Sequence, residues 1–433
     1  MNSDIALYTD HYELTMLSAA LRDGTADRQC VFEVFGRRLP LGRRYGVVAG
    51  TGRIIEQLRD FTFTPEIVEW LRDRQVVDDR TADWLRRYRF SGDIDGYAEG
   101  ELYFPNSPIL TVSGTFAECV VLETFVLSVL NHDCAIASAA ARMVTAARGR
   151  PLIEMGSRRT HEEAAVAAAR SAYLAGFAST SNLAAGRRYG IPTAGTAAHA
   201  FTLLHDDERA AFASQVATFS KDTTLLVDTY DISQGIRNAV AVAGPDLGAI
   251  RIDSGDLSML AQQSRDLLDE LGATETRIVV SGDLDEYAIA SLAAEPVDAY
   301  GAGTAVVVGS GAPTAGLVYK LVEVDGKPVV KRSENKATVG GRKTAVRRHK
   351  PTGTATEEII VPQGSPEPRP HDRPLQRPYV RGGEIVPDLP TLEDSRELLR
   401  HNLISIPWEG LKLSQGEPTI PVVCQPASTK ESG

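Results

Sequence analysis

Between residues 152 and 300, short apolar runs alternate with longer stretches of helical spacing, and this rhythm limits the possible folds more than any other feature of the chain. Strands that alternate with helices form a parallel sheet covered by helices. The pattern therefore predicts an α/β fold with a parallel β/α barrel of about seven strands, and it leaves an open sheet as the alternative. The runs that we predict to be strands are 152–155, 174–178, 191–194, 225–227, 249–252, 278–280 and 297–300.

The chain on either side of this alternation has other patterns. Residues 4–20 have helical spacing, with Asp10, His11 and Tyr12 near the start of the predicted helix. Residues 92–116 alternate β-like runs with Gly and Pro, which is typical of an antiparallel sheet. Further predictions are a strand at 31–35, helices at about 50–60, 65–90, 118–148 and 391–403, a hairpin at Asp325-Gly326, an extended loop or linker at 361–380 and a disordered tail at 427–433.

Charge and cysteine spacing exclude several classes of protein. The 46 Lys and Arg against 57 Asp and Glu give a net charge of −11, which argues against non-specific nucleic-acid binding. The four cysteines are scattered without a CxxC pair, so neither a zinc site nor a disulfide framework is indicated. We find no signal peptide and expect no stretch long enough to span a membrane, so the predicted location is the cytoplasm.

Polar and charged residues follow several of the predicted strands directly. His199 comes after Gly-Thr-Ala-Ala, Asp228 follows one apolar run, and Arg251 and Asp253 lie at the end of another. A single histidine beside alanines is more often a structural residue than a reactive one. Polar residues that share one rim of a barrel usually bind a ligand, so we favour a functional site here.

Several short motifs occur in a fixed order along the chain. They are Thr-Asp-His-Tyr-Glu-Leu-Thr-Met at 9–16, Gly-Ser-Arg-Arg at 156–159, Thr-Ser-Asn at 180–182, Gly-Thr-Ala-Ala-His at 195–199 and Asp-Ser-Gly-Asp at 253–256. Each motif alone is a weak signal, but their order makes the match specific. The chain resembles the nicotinate phosphoribosyltransferases from about residue 6 to about residue 345.

The resemblance implies an irregular β/α barrel beside an N-terminal α/β lobe that C-terminal segments complete. On this basis residues 1–117 form the lobe, 118–344 form the barrel with the active site, and 345–433 pack back on the lobe. The resemblance also implies a homodimer whose active site lies at the subunit interface. No nucleic acid or membrane partner is expected.

The reaction that the resemblance implies joins nicotinate to 5-phosphoribosyl-1-pyrophosphate and yields nicotinate mononucleotide and pyrophosphate, as in NAD salvage. ATP hydrolysis is coupled to this step and Mg²⁺ is required, while the metal ligands stay unassigned. His199 corresponds to the residue that ATP phosphorylates, and Asp228 to the carboxylate that orients its imidazole. A carboxylate on one ring nitrogen fixes the tautomer and leaves the other nitrogen as the nucleophile.

The resemblance also assigns the nicotinate site. Arg158 could pair with the nicotinate carboxylate, Tyr12 would stack on the pyridine ring, and Thr180 and Ser181 would line the site. Ser181 replaces an aspartate of nicotinamide-specific relatives, which favours the acid as substrate. Met155 stands where many relatives have phenylalanine, so a thioether contact could replace ring stacking there.

The ribosyl donor needs carboxylates for its sugar hydroxyls and metal, and cations or backbone N–H groups for its phosphates. Glycine-rich turns after strands can present such N–H groups, although an isolated Gly-x-Gly is more often a plain turn. The residues that we assign to phosphate and ribose binding are Arg251, Asp253, Gly282, Asp283, Gly303 and Thr304, and the catalytic assignments are His199, Asp228 and Asp253.

Three alternatives remain from the sequence alone. The chain could use nicotinamide, or it could be a quinolinate phosphoribosyltransferase of the same fold, although that enzyme needs no ATP-accepting histidine. It could also be a catalytically silent phosphate-binding barrel. The presence of His199, Asp253 and Arg158 speaks against a silent protein.

Overall fold

The structure is a computed structural model that describes residues 4–331 and 339–426. The chain forms two compact units, Met1–Ala135 with Thr314–Gly433, and Ile136–Pro313. We call them the lobe and the barrel unit. The sequence predicted domain boundaries after residues 117 and 344, whereas the two units of the structure divide after residues 135 and 313.

The N-terminal part of the lobe begins with a helix whose ends follow local signals. Asp10 is its N-cap residue in extended conformation, and Gly24 ends it in the left-handed conformation that glycine adopts without strain. The predicted helical start at Asp10, His11 and Tyr12 is therefore confirmed. The elements of this part are α1 (His11–Asp23), β1 (Gln29–Gly36), β2 (Gly46–Val47), α2 (Thr51–Leu58), α3 (Pro65–Asp73), α4 (Asp79–Arg87), β3 (Asp93–Tyr97), β4 (Leu102–Tyr103), β5 (Leu110–Thr115), α5 (Phe116–Val120) and α6 (Glu123–Ala147).

One segment of the described residues, Phe116–Ala147, is long and apolar enough to cross a membrane by length and composition. The expectation that no stretch reaches this length was therefore wrong. Most of the segment is buried inside the protein, which is typical of the core helix of a globular protein. The predicted helix at 118–148 is confirmed apart from a break between α5 and α6.

The barrel unit contains a six-stranded sheet in the order β7-β6-β11-β10-β9-β8, and all of its strand pairs are parallel. The sheet curls into a half-barrel, which confirms the predicted parallel α/β class. Its elements are β6 (Leu152–Glu154), α7 (Glu162–Ala175), β7 (Ser179–Thr180), α8 (Leu183–Tyr189), α9 (His199–Leu203), α10 (Glu208–Phe219), β8 (Thr224–Leu226), α11 (Ile232–Ala243), β9 (Ala249–Ile252), α12 (Leu257–Glu270), β10 (Arg277–Gly282), α13 (Glu286–Ser291), β11 (Ala299–Ala302) and α14 (Thr304–Val307).

Two of the predicted strands differ from the structure. The run 174–178 lies at the end of α7 and in the turn after it, and the strand begins only at Ser179. A buried helix end and a buried strand have the same apolar composition, so spacing alone could not separate them. The run 191–194 contributes an isolated parallel bridge between Thr193 and Thr180 in place of a full strand.

The C-terminal part returns to the lobe and completes its main sheet, as predicted. Strand β12 pairs with β1 and β17 pairs with β3, which gives the order β13-β12-β1-β5-β3-β17-β18. The elements are β12 (Leu317–Val324), β13 (Lys327–Pro328), β14 (Lys343–His349), β15 (Ala355–Pro362), β16 (Arg373–Pro374), β17 (Gln376–Arg381), β18 (Glu384–Ile385), α15 (Leu392–Ser405) and β19 (Val422–Cys424).

Three predictions for this part have different outcomes. The hairpin is confirmed, with Asp325 and Gly326 both at positive φ between β12 and β13. The loop at 361–380 was partly wrong, because it contains β16 and most of β17, and Pro378 fits into β17 at a register irregularity where a missing N–H is tolerated. The predicted tail at 427–433 lies outside the described residues.

A buried ion network joins the C-terminal strands to the N-terminal part of the lobe. Arg347 on β14 binds the carboxylates of Glu101 and Glu358, and the side chains of all three are at most 1% exposed. Arg373 adds a contact of 2.5 Å to Glu101. Burial alone would raise the pKa of Glu101, but the charges of Arg347 and Arg373 outweigh it and hold the pKa below its ordinary value.

This network predicts a large loss of stability on removal of its central cation. Arg347→Ala would leave two buried carboxylates without their shared partner, so the free energy of unfolding should fall by about 3–5 kcal/mol. Urea unfolding followed by circular dichroism measures the change. The control Arg86→Ala, which breaks the exposed pair with Asp83, should change it by less than about 1 kcal/mol. Equal effects of the two substitutions would contradict the assignment.

Candidate functional site

The carboxyl ends of the parallel strands in the barrel unit meet at one edge of the sheet, which we call the rim. Adjacent strands are in register there, with Leu226 opposite Arg251, Val280 opposite Ile252, and Gly282 opposite Ala302. Active sites of β/α barrels lie at this edge. The residues at or just after the strand ends are Glu154, Thr180, Asp228, Asp253, Gly282, Asp283, Gly303 and Thr304.

Asp253 directly follows β9 and lies in a compact polar cluster of the rim. Its Oδ1 accepts a hydrogen bond from the Ser281 hydroxyl and lies 3.0 Å from Arg251 Nη2. Burial would raise the pKa of Asp253, but the Ser281 hydrogen bond and the Arg251 charge outweigh burial and lower the pKa. The carboxylate is therefore ionised at neutral pH and keeps part of its surface exposed.

Arg251 connects this cluster to the loop that precedes His199. Its Nε donates to Ser281 Oγ at 2.8 Å, and its Nη1 donates to Thr196 Oγ1 at 2.7 Å and to the Ala197 carbonyl at 3.4 Å. The guanidinium thus holds the backbone just before His199 against β9 and β10. These contacts are with protein groups, so its assignment to phosphate binding stays a prediction.

His199 is the first residue of α9, and its side chain is 41% exposed. Its Nδ1 lies 3.1 Å from the Thr229 hydroxyl, within hydrogen-bond distance. Its Nε2 lies 3.9 Å from Asp228 Oδ1, which is longer than a hydrogen bond. The structure therefore places both side chains beside the imidazole and gives the closer contact to Thr229.

The Asp228 side chain is buried, with 1% of its surface exposed. Its Oδ2 accepts from the Asp253 N–H at 2.9 Å and from the Ser254 hydroxyl at 2.8 Å. Its Oδ1 is buried and has no hydrogen-bond partner within the described part of the chain. A buried unpaired acceptor is costly, and the donor that it lacks would lie on the His199 side.

Three of the residues assigned to nicotinate binding lie at or after two neighbouring strand ends. Arg158 follows β6 and is exposed, Thr180 at the end of β7 is buried, and Ser181 next to it is exposed. The Met155 thioether lies against the backbone of Gly301, because a Cβ at Gly301 would come within 2.8 Å of the Met155 sulfur. Met155 therefore packs on the neighbouring strand β11.

The glycine turns that we assigned to phosphate binding follow β10 and β11. Gly282 has φ +130 and lies against the Asp253 carbonyl, which a side chain would approach within 3.2 Å. Gly303 and Thr304 begin α14, a single turn of four residues. A helix this short has a small dipole, so any phosphate contact here would depend on individual N–H groups.

Tyr12 belongs to the lobe and lies in the first turn of α1. Its side chain is 45% exposed. Partial burial and the nearby Glu123 and Glu13 carboxylates raise the pKa of Tyr12 to about 12, so the phenol is neutral at physiological pH. An exposed neutral ring of this kind suits the stacking role that the resemblance assigned.

Sequence reasoning missed three polar residues of the rim. Thr229 contacts His199, Ser281 links Arg251 to Asp253, and buried Glu154 binds the loops that carry Arg158 and Ser181. Ser281 directly follows the predicted run 278–280, Thr229 lies two residues after the run 225–227, and Glu154 lies within the run 152–155, and these positions near strand ends were the available signal. Within the described residues no group of three His, Cys, Asp or Glu side chains is arranged as a metal cage.

Comparisons with known proteins show the family and the fold of the chain. The family model of the nicotinate phosphoribosyltransferase N-terminal domain matches residues 7–131, and that of the quinolinate phosphoribosyl transferase C-terminal domain matches residues 136–310. The chain is similar to the crystal structure of human nicotinic acid phosphoribosyltransferase, with a TM-score of 0.85, 28% identity and coverage of 96% of this chain and 97% of that chain.

Two proteins of Mycobacterium tuberculosis are also similar along nearly their full length. Nicotinate phosphoribosyltransferase pncB2 is 39% identical over 96% of this chain and 91% of its own length. Nicotinate phosphoribosyltransferase pncB1 is 63% identical over 98% of this chain and 97% of its own length. With a relative this similar over almost the whole chain, and with the barrel and lobe that the motifs implied, the protein belongs to the nicotinate phosphoribosyltransferase family.

Proposed function

We propose that the protein joins nicotinate to 5-phosphoribosyl-1-pyrophosphate, giving nicotinate mononucleotide and pyrophosphate for NAD salvage. The observation that carries this proposal is the rim cluster, in which ionised Asp253 is held by Arg251 and Ser281 beside the His199 loop. The names of the similar proteins support the choice of nicotinate. The test is to incubate the protein with the ribosyl donor, Mg²⁺, ATP and each pyridine substrate, and to identify the mononucleotide.

The chemistry of ribosyl transfer explains why a preformed carboxylate is useful. Loss of pyrophosphate develops positive charge on the ribose, and a fixed negative group stabilises that charge without reorganising. Asp253 is suited to this role because Arg251 and Ser281 fix one of its oxygens. We assign Asp253 to the ribose hydroxyls and to stabilisation of the transition state.

We further propose that His199 accepts the γ-phosphoryl group of ATP, which makes the protein an ATP-coupled ligase. The half-exposed imidazole is accessible to a nucleotide, and Thr229 and Asp228 flank its two nitrogens. Coupling requires that the substrates bind the phosphorylated form more tightly, because a ligand shifts an equilibrium only through differential affinity.

Mg²⁺ and a homodimer belong to the same proposal. Mg²⁺ usually binds through one or two carboxylates together with substrate phosphates, and Asp253 and Asp283 are two of the carboxylates at this part of the rim. When bound, the ion would neutralise charge on the pyrophosphate. The dimer that the resemblance implied would place the active site at the interface of its two subunits.

The first prediction concerns the choice of substrate. Arg158→Ala should weaken nicotinate use by about 2–5 kcal/mol in kcat/KM, because the guanidinium is expected to pair with the substrate carboxylate. Wild-type protein should discriminate strongly against nicotinamide for the same reason. The control Arg209→Ala, at an exposed position on α10, should keep wild-type values. Comparable kcat/KM values for nicotinate and nicotinamide would instead indicate an enzyme that uses nicotinamide.

The second prediction separates catalysis from binding at Asp253. Asp253→Asn keeps the side-chain shape but removes the charge, so kcat should fall by about 100-fold or more while the KM values change little. Steady-state kinetics with each substrate varied in turn measures both. Asp246→Asn, on the exposed surface of the same unit, provides the control. A change in KM alone would limit Asp253 to ground-state binding.

The third prediction tests phosphorylation of the imidazole. His199→Ala should abolish acid-labile ³²P incorporation from γ-labelled ATP and remove ATP stimulation, while slow ATP-independent transfer persists because the Asp253 cluster is intact. His205→Ala removes the next imidazole along the chain, which contacts the Phe201 carbonyl, and should leave labelling unchanged. Stable labelling and full ATP stimulation in His199→Ala would refute the phosphohistidine mechanism.

A further inference from the structure

We propose that Glu154 is a positioning residue that sets the geometry of the nicotinate site by holding together two rim loops, 156–159 and 180–182. The first loop carries Arg158 and the second carries Ser181. Glu154 is the last residue of β6, between these loops. The inference deepens the proposed function and rests on it, because the two loops carry the residues assigned to nicotinate.

The two oxygens of Glu154 bind different loops. Oε1 accepts the backbone N–H of Gly156, and Oε2 accepts the Thr180 hydroxyl at 2.5 Å. The backbone carbonyl of Glu154 also accepts the Ser181 N–H at 2.8 Å. Glu154 therefore binds the backbone of Gly156, two residues before Arg158, together with the Thr180 hydroxyl and the Ser181 backbone.

Further hydrogen bonds close this arrangement into a ring. The Asn182 N–H donates to Thr180 Oγ1 at 3.0 Å, and Asn182 Nδ2 donates to Ser157 Oγ at 3.0 Å. The ring runs from Glu154 through Gly156 and Ser157 to Asn182 and Thr180. A displacement of either loop would have to break several of these bonds.

Gly156 shows how closely the first loop approaches the carboxylate. A Cβ at this position would lie 2.8 Å from Glu154 Oε1 and 2.2 Å from Val307 Cγ1. A side chain there would displace the loop from its acceptor. Glycine at position 156 therefore allows its own N–H to approach Glu154 Oε1.

The burial of Glu154 is explained by its contacts with the two loops. The residue is 1% exposed, and burial raises the pKa of its carboxyl while the Thr180 and Gly156 hydrogen bonds oppose that rise. Some other buried carboxylates of the described chain have cations beside them, as Glu101 has Arg347 and Glu286 has Arg142. The contacts of Glu154 are neutral donors, so its carboxylate stabilises the loops and takes no part in an ion pair with the described residues.

The expected effect is specific to one substrate. Of the residues assigned to the ribosyl donor, Arg251 and Asp253 are hydrogen-bonded to Ser281 on β10, whereas the Glu154 carboxylate binds the β6 and β7 loops. Misplacement of Arg158 and Ser181 should weaken nicotinate binding and leave donor binding nearly unchanged. A general loss of stability would affect both substrates.

The experiment compares four single variants of the full-length protein. Glu154→Gln turns one acceptor into a donor, Thr180→Val removes the hydroxyl, Thr180→Ser keeps it, and Glu286→Gln alters a buried carboxylate that pairs with Arg142 and binds neither of these loops. Steady-state kinetics give kcat and the KM for nicotinate and for the ribosyl donor, and thermal unfolding gives Tm. The double variant Glu154→Gln/Thr180→Val completes a mutant cycle.

We expect Glu154→Gln and Thr180→Val to raise the nicotinate KM by about 10- to 100-fold with a donor KM within about threefold of wild type. Thr180→Ser should have the wild-type nicotinate KM, and Glu286→Gln should lower Tm without changing either KM. In the double variant, the effects of Glu154→Gln and Thr180→Val on the nicotinate KM should be less than additive. Equal changes in both KM values, no rescue by serine, or full additivity would overturn the inference. If Glu154→Gln does not fold, the comparison of Thr180→Val with Thr180→Ser tests the inference by itself. A wild-type protein that makes no nicotinate mononucleotide would refute the proposed function instead.

Discussion

The Arg251 guanidinium is the contact on which the organisation of the rim depends. The parallel sheet is a half-barrel, and within the described residues no hydrogen-bonded ladder connects the segment after Thr193 with β8. Arg251 reaches from β9 to Thr196 and Ala197 in that segment while also binding Ser281 and Asp253. The Arg251 side chain thus connects this segment to the sheet, as the hydrogen bonds of a seventh strand would in a closed barrel.

The buried carboxylates of the Arg347 network and those of the rim are stabilised in different ways. In the lobe, Glu101 and Glu358 are neutralised by Arg347, which ties together segments that are distant in the sequence. At the rim, the closest contacts of the buried Asp228 and Glu154 carboxylates are neutral donors. These donors are hydroxyls and backbone N–H groups. Uncompensated polar groups of this kind are more common at functional sites than in structural cores.

Sequence reasoning predicted what depends on local chemistry and missed what depends on tertiary contacts. The alternation of apolar runs indicated the parallel class, and the positions of Asp228, Asp253 and the glycine turns at strand ends placed them on one rim. The run 174–178 was misassigned because a buried helix end has the composition of a buried strand. Thr229 and Glu154 were missed because nothing local distinguishes a hydroxyl that contacts a histidine, or a carboxylate that binds two loops, from ordinary rim residues.

The contact between Met155 and Gly301 has a consequence for how sequences of this family diverge. The thioether fills the space that the missing side chain at 301 leaves open on the neighbouring strand. The two positions therefore form a size-complementary pair, in which a larger residue at 301 requires a smaller or re-oriented one at 155. An aromatic ring is more rigid than the thioether, so a ring at 155 would need a different fit against Gly301. Changes at 155 and 301 should therefore be inherited together.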